Sequence, residues 1–262
     1  MEAVAKKIIT RREGGVATLV FNNPEKRNAL SLEMWEGMAE ALEAFDADPE
    51  VRAVVLRGAG GRAFISGADI SQFEERRSTE EKAAQYSAIT DRAWLALART
   101  RKPVIAAIEG FCIGGGLAVA MKADIRIATR DSVFGVPAAR LGIAYPLEAI
   151  RDLLNLVGPS EAKWILFTGT QIDAEQALRI GLINKVVAKA ELDEAVSELT
   201  HTLADNAPLS MQASKETIDQ IARDSIDRKR LHELGVACIE SADFAEGRRA
   251  FMEKRKPQFK GK

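Results

Sequence analysis

The chain has 262 residues, 47 % of them hydrophobic and 29 % charged, with a formal net charge of −1. That length buries a substantial core in one large domain, or in a domain with a helical appendage, and the composition excludes a disordered chain. The near-balance of charge gives no global pull toward nucleic acid or membrane, so neither is expected as a partner. The two cysteines, Cys112 and Cys238, belong to no CxxC pair or Cys/His cluster, so no metal site is expected and both read as free thiols. Residues 1–12 are charged and lack an apolar leader core. The longest nearly apolar run, 111–121, is too short and too glycine-rich to cross a bilayer, and the protein is read as cytoplasmic.

Residues 16–21 (VATLVF) form a short apolar run closed by Asn22-Asn23-Pro24, a strand followed by a turn. Ser31 then opens a helical pattern. Its hydroxyl suits an N-cap, and Leu32, Trp35, Met38, Ala39, Leu42 and Phe45 recur at helical spacing. A second strand is expected over 51–57, closed by glycines, and a helix over 80–97. The run 103–108 (PVIAAI) reads as a buried strand, Gly114 opens another helix, and 124–128 is again strand-like. Strands alternating with helices indicate an α/β fold. After about Ala188 the pattern changes: 191–204, 210–222, 228–241 and 243–255 read as helices with no strands between them. The chain therefore divides into an α/β core (1–188) and a helical C-terminal region (189–262). No segment repeats with a period of 20–50 residues.

Two glycine-containing segments carry the chemistry. In the first, 62–70 (RAFISGADI), a strand runs into Ser66-Gly67-Ala68-Asp69, where small side chains let a ligand approach the backbone. In the second, 108–121 (IEGFCIGGGLAVAM), a strand leads through Gly110 to Gly114-Gly115-Gly116 at a helix start. A helix start offers unpaired N–H groups and partial positive charge. Either segment alone is compatible with an ordinary tight turn. Neither fits the GxxxxGK[ST] or GxGxxG phosphate patterns.

In this order, and roughly 45 residues apart, the two segments resemble the signature loops of the crotonase (enoyl-CoA hydratase/isomerase) superfamily. Four further stretches share the resemblance: Asn23-Pro24-Glu25-Lys26-Arg27-Asn28-Ala29-Leu30, the strand 102–107, the segment from Phe167-Thr168-Gly169 to Val186-Val187, and the ending Phe251-Met252-Glu253-Lys254-Arg255-Lys256-Pro257. The resemblance implies a crotonase-like spiral of ββα units with a C-terminal helical trimerisation region. It also implies an acyl-CoA substrate, with coenzyme A entering as part of that substrate rather than as a separate cofactor. The backbone amides of Ala68 and Gly115 would form an oxyanion hole for the thioester oxygen. The Ser66 carbonyl would meet the adenine amino group. Lys26, Arg27, Ala29, Asp69, Ile70 and Gly114 would line the CoA and acyl path. Charge moves onto the thioester oxygen as an enolate forms, so fixed donors there stabilise the transition state more than the substrate; one donor is worth about 3–4 kcal/mol.

Hydratases of the superfamily use two glutamates as general acid and base. Here the corresponding positions are Ala118 and Ala138, and methyl groups move no protons. The stretch Leu141-Gly142-Ile143-Ala144-Tyr145, with Glu109 before Gly110, is locally similar to family members that decarboxylate methylmalonyl-CoA. Loss of CO2 generates the enolate without a strong base. Tyr145 is then expected to orient the carboxylate or protonate the product, against the alternative of a half-buried aromatic with its hydroxyl satisfied. Glu148 is the second catalytic candidate, against the alternative of an acid favoured by a helix start at Pro146. Arg140, Glu109, Asp124, His201 and His232 read as structural or surface residues. Cys112 has no histidine partner to make it a nucleophile.

Residues 247–262 hold seven Lys/Arg and one acid. They read either as a solvated, frayed tail or, by the resemblance, as a helix packed on CoA, with Phe251 near the adenine and Lys254 near phosphates. The apolar faces of the C-terminal helices predict a homotrimer or dimer of trimers. Atypical hydration and decarboxylation stay open as the reaction. The alternative is a catalytically silent acyl-CoA binding protein.

Overall fold

A computed structural model describes residues 6–69 and 79–262. β1 (Ile8–Glu13) pairs antiparallel with β2 (Val16–Phe21). The charged end of the chain, which carries no apolar alternation, thus becomes an edge strand. β2 runs parallel to β3 (Ala53–Gly58), β3 to β5 (Val104–Ile108), β5 to β7 (Ile125–Thr129) and β7 to β10 (Lys185–Val187). Together they form a six-stranded sheet in the order β1-β2-β3-β5-β7-β10. A second sheet holds β4 (Ala63–Ile65), β6 (Phe111–Ile113), β8 (Val133–Gly135) and β9 (Ile172–Asp173) in that order.

The sequence alternates between the two sheets. Each of β3, β5 and β7 is followed at once by a short strand of the second sheet (β4, β6, β8) and then by helix. α1 (Leu32–Ala47) precedes the first of these units. α2 (Glu80–Arg99), α3 (Gly115–Lys122) and α4 (Ala138–Leu141) follow in order, and α5 (Leu147–Thr168) and α6 (Ala174–Arg179) come next. This is the expected repetition of ββα units. The short strands, at two or three residues each, are too brief for alternation to reveal them.

α1 forms where its apolar spacing predicts. Ser31 accepts the Met34 amide as N-cap, and Met34, Trp35, Met38 and Leu42 are buried against β2 and the facing α2. Trp35 meets Trp94 of α2 with ring centroids 5.2 Å apart. The main core lies on this side of the large sheet. Its other face is covered by α7 (Leu192–Asp205), where Leu192 and Ala195 pack with Val55, Ile105 and Ile127. Residues just past 188 therefore take part in covering the sheet. α8 (Pro208–Ala222), α9 (Arg228–Glu240) and α10 (Ala242–Glu253) follow, and among the described residues no strand comes after Val187.

The basic ending is not a frayed tail. Asp243 and Glu246 of α10, both buried, take the chain back onto the helix. Asp243 accepts the amides of Lys260 and Gly261, and Glu246 accepts the amide of Gln258 and the guanidinium groups of Arg249 and Arg255. Arg52 donates to the Phe259 carbonyl, and Lys256 pairs with Asp205. Among the described residues no helix is long and apolar enough to cross a membrane.

Candidate active site

Parallel pairing of three short strands determines where the site lies. β4 runs parallel to β6, and β6 to β8, so the segments leaving their C-terminal ends emerge on one edge of the small sheet. These segments are Ser66–Asp69, Gly114-Gly115 and Val136–Ala138. The Gly114 amide donates to the Gly135 carbonyl at 2.8 Å, joining the second to the third.

The first segment is also tied to the loop before α1. Leu30 and Ala68 form an isolated parallel bridge, in which the Leu30 amide donates to Gly67 and the Asp69 amide donates to Leu30. In a parallel bridge of this register the amide of the central residue points away from the partner strand. The Ala68 N–H is thereby turned away from Leu30. A Cβ built on Gly115 would lie only 3.8 Å from the Ala68 nitrogen. Gly115 is the first residue of α3 and has no intrahelical acceptor for its own N–H. Ala68 and Gly115, from separate segments, are therefore neighbours at a helix N-terminus that adds partial positive charge. Such a pair can hold an oxygen acquiring negative charge.

Glycine is required at two points of this arrangement. Gly114 has φ 54° and ψ −114°, a backbone that L side chains rarely adopt. At Gly116 a Cβ would fall 2.2 Å from the Ile65 carbonyl oxygen. α3 thus lies against β4 with no room for even a methyl group.

α3 is also held from its far end. Arg126, almost fully buried, donates to the carbonyls of Ala120 and Ala123 and, at 2.9 Å, to that of Leu182. Burial pushes its pKa down from the usual guanidinium value. A guanidinium on the last carbonyls of a helix satisfies unpaired acceptors and complements the dipole.

The loop 23–30 closes over the first segment. Its organiser is Asn28, which the sequence reading placed in the loop but gave no role. Asn28 is 0 % exposed. Its amide group donates to the carbonyls of Ala59 and Ala63, and its carbonyl oxygen accepts the Asn23 amide. Arg27 and Asn28 both have positive φ, 51° and 57°. That consecutive left-handed pair was the available signal, since asparagine tolerates this region better than other residues with a Cβ. The Arg27 carbonyl accepts the Ser66 amide, and its guanidinium lies 5.0 Å from the Phe111 ring centroid. Lys26 pairs with the buried Asp69 at 2.9 Å, and its carbonyl accepts the Ser66 hydroxyl and the Ala29 amide. Lys26, Arg27, Ala29, Ser66 and Asp69 are thus gathered into one wall beside Ala68. Ile70 lies outside the described residues.

Ala118 and Ala138 are 3 % and 7 % exposed, and both belong to the core. Tyr145 lies next to the glycine turn: its hydroxyl donates to the Gly114 carbonyl at 2.9 Å, and the same oxygen accepts the Ala118 amide at 3.0 Å. Burial pushes the phenol well above its usual range, so it stays protonated. Glu148 is exposed in the first turn of α5 and lines, with Ala118, Trp94 and Ala149, a cavity of about 510 Å³. Phe251 is 83 % exposed, and Lys254 caps α10 in the left-handed conformation. Glu109 pairs with Lys189 at 2.7 Å, away from the amide pair. Cys112 is fully buried, and burial pushes its thiol up in pKa, consistent with the absence of a nucleophilic role.

Residues 11–262 match the family model for enoyl-CoA hydratase/isomerase. The chain is 37 % identical over 251 residues to the short-chain-enoyl-CoA hydratase of Clostridium acetobutylicum, with 95 % of each chain covered. It is 35 % identical to the crotonyl-CoA hydratase of Syntrophomonas wolfei, covering 97 % of this chain and 98 % of the other. Among solved structures, an enoyl-CoA hydratase/carnithine racemase from Magnetospirillum magneticum superposes with a TM-score of 0.93 at 35 % identity, covering 99 % of this chain and 97 % of that one.

Proposed function

Because the chain belongs to the enoyl-CoA hydratase/isomerase family, whose members act on acyl-CoA, we propose that it is an enzyme in which Ala68 and Gly115 hold a thioester oxygen while an enolate forms. The observation that carries this reading is the juxtaposition of the two amides at the start of α3. Lys26, Arg27, Ala29, Ser66, Asp69 and Gly114 line the approach of the CoA moiety, with Ile70 continuing the same segment. Coenzyme A arrives as part of the substrate.

By the resemblance, the buried Ala118 and Ala138 take the positions where a hydratase of this family carries its glutamates, and on that reading decarboxylation of a malonyl-type thioester is favoured. In that reaction the bond from Cα to the carboxylate breaks and CO2 leaves. Its electron pair enters the thioester as an enolate whose oxygen takes hydrogen bonds from Ala68 and Gly115. A proton then reaches Cα from the Tyr145 hydroxyl, which is replenished from water. A second reading, hydration of an enoyl-CoA, is favoured by the relatives named hydratases and by Glu148. That carboxylate borders the cavity behind Ala118 and could activate water for addition at Cβ while Cα is protonated.

Assaying crotonyl-CoA, methylmalonyl-CoA and ethylmalonyl-CoA side by side tests the choice. Decarboxylation predicts turnover of a malonyl-type substrate, with crotonyl-CoA left nearly untouched; rapid hydration of crotonyl-CoA would reverse the assignment. Tight CoA binding with no turnover of any of the three would identify a silent acyl-CoA binding protein instead.

The helical region from about 189 serves assembly into a homotrimer or dimer of trimers. In that assembly Phe251 and Lys254 face CoA, which is a task neither performs within one chain.

A further inference from the structure

The cavity behind Ala118 does not end in an apolar wall. Gly115, Ala118 and Lys122 stand at positions i, i+3 and i+7 of α3, one stripe down a single helix face. At a rise of about 1.5 Å per residue, Lys122 lies about 10 Å below the amide of Gly115. There its ammonium group is bonded by both carboxylate oxygens of Asp152 from α5, at 2.8 and 2.9 Å, with side chains 16 % and 18 % exposed. Below the pair opens a second cavity of about 750 Å³, reaching between α3, α5 and α8, where Leu97, Met121 and Ile218 share the lining with charged groups such as Asp124, Lys215 and Asp219. The two spaces meet at Ala98, Lys122, Asp152 and Arg223.

An apolar chain running down from the thioester would have to displace this ion pair to go further. A hydrocarbon end packed on two half-desolvated charges gains little and takes away their remaining water. We propose, resting on the thioester site described above, that the Lys122–Asp152 pair is the floor of the acyl pocket and restricts the enzyme to short acyl groups, closing off a second space that would otherwise admit long ones. Neither residue touches the reacting atoms in this reading; they set specificity.

The test is calorimetric binding of free CoA and of butyryl-, octanoyl- and dodecanoyl-CoA, which lack the reactive double bond and carboxylate. Wild type is expected to bind butyryl-CoA at least about tenfold more tightly than dodecanoyl-CoA, a difference of about 1.4 kcal/mol. Lys122→Ala with Asp152→Ala removes both charges together, so no lone ion is left behind, and is expected to abolish or invert that preference while free CoA binds as before. An unchanged preference in the folded double variant would overturn the proposal, as would equal binding of butyryl- and dodecanoyl-CoA by wild type. Should the alanine pair fail to fold, Lys122→Met with Asp152→Leu keeps the volume and removes the charge. Octanoyl-CoA should then gain at least about threefold over butyryl-CoA, and no gain would count against the floor. If wild type binds no CoA thioester at all, the site assignment fails and the floor with it. If butyryl-CoA binds but chain preference ignores the pair, only the floor fails.

Discussion

The hydroxyl of Tyr145 donates to the carbonyl of Gly114 at 2.9 Å, one residue before the amide that starts α3. The hydroxyl's single proton is thus satisfied by a backbone carbonyl, as the alternative reading of Tyr145 expected, and delivering it elsewhere requires that hydrogen bond to break. In the proposed reaction its proton is the one delivered to Cα. Tyr145→Phe is expected to lower kcat on the reactive substrate by about a hundredfold, the range of a lost general acid, and to leave thioester affinity within about twofold. Stability should fall by about 1 kcal/mol, since the Gly114 carbonyl keeps its bond from Ala118. Because burial raises the phenol's pKa, the rate should show no loss on approaching pH 10, where an unperturbed tyrosine ionises. An unchanged kcat would remove Tyr145 from the chemistry.

Gly116 is the closest contact between α3 and β4. In Gly116→Ala the new methyl would meet the Ile65 carbonyl at 2.2 Å, a backbone atom that cannot swing aside. The variant should lose about 3 kcal/mol or more of stability. Because β4 leads directly to Ala68, whatever folds should have a displaced Ala68 amide and, in the proposed reaction, turnover reduced well beyond the loss of folded protein. Thermal melts paired with activity per folded molecule measure both; a variant as stable as wild type would contradict the packing described.

The C-terminal turn-back is held by a carboxylate. Hydrogen bonds from Arg255, Arg249 and the Gln258 amide hold Glu246 far below its usual pKa of 4.5. A group depressed in the folded state contributes stability above its unfolded pKa and loses it as pH falls further. The clamp should therefore act fully at neutral pH and weaken progressively below about pH 4.5. Glu246→Gln should lower the melting temperature at pH 7 and flatten its decline on acidification, followed by calorimetry across that range. Identical acid profiles for the two proteins would count against the clamp.

Ile239, Phe244, Phe251 and Met252 are all exposed, the last two by 83 % and 80 %. Large apolar side chains grouped on α9 and α10 are the kind of surface that the proposed assembly would cover. Sedimentation at micromolar concentration should report a trimer or hexamer. Phe251→Ser with Met252→Ser should shift it toward smaller species; a stable wild-type monomer would exclude the proposed assembly.

The parts legible in the sequence were those whose physics is local. Residues 16–21 and 104–108 are mainly apolar runs, the second buried throughout, Ser31 is an N-cap followed by a helical stripe, and Gly114-Gly115-Gly116 is a helix start that keeps side chains away. The strand leading to Ser66 was legible, but β6 and β8 escaped because three residues carry no period, although with β4 they bring Ala68, Gly115 and Ala138 to one edge. Asn28 escaped because its role depends on carbonyls at 59 and 63, more than thirty residues away. The basic ending read as a ligand-facing or frayed tail because its partners, Asp243, Glu246 and Asp205, are ordinary helix-surface acids until the chain turns back on them.

The grip of Arg126 on the far end of α3 bears on timing. A helix of eight residues, wedged against Ile65 at one end and clasped by a buried guanidinium at the other, cannot slide along its axis to meet an incoming oxygen. Its dipole is oriented before any ligand arrives, so little reorganisation energy is left for the reaction step itself. The cost was met during folding, when a cation was drawn out of water to fasten the helix in place.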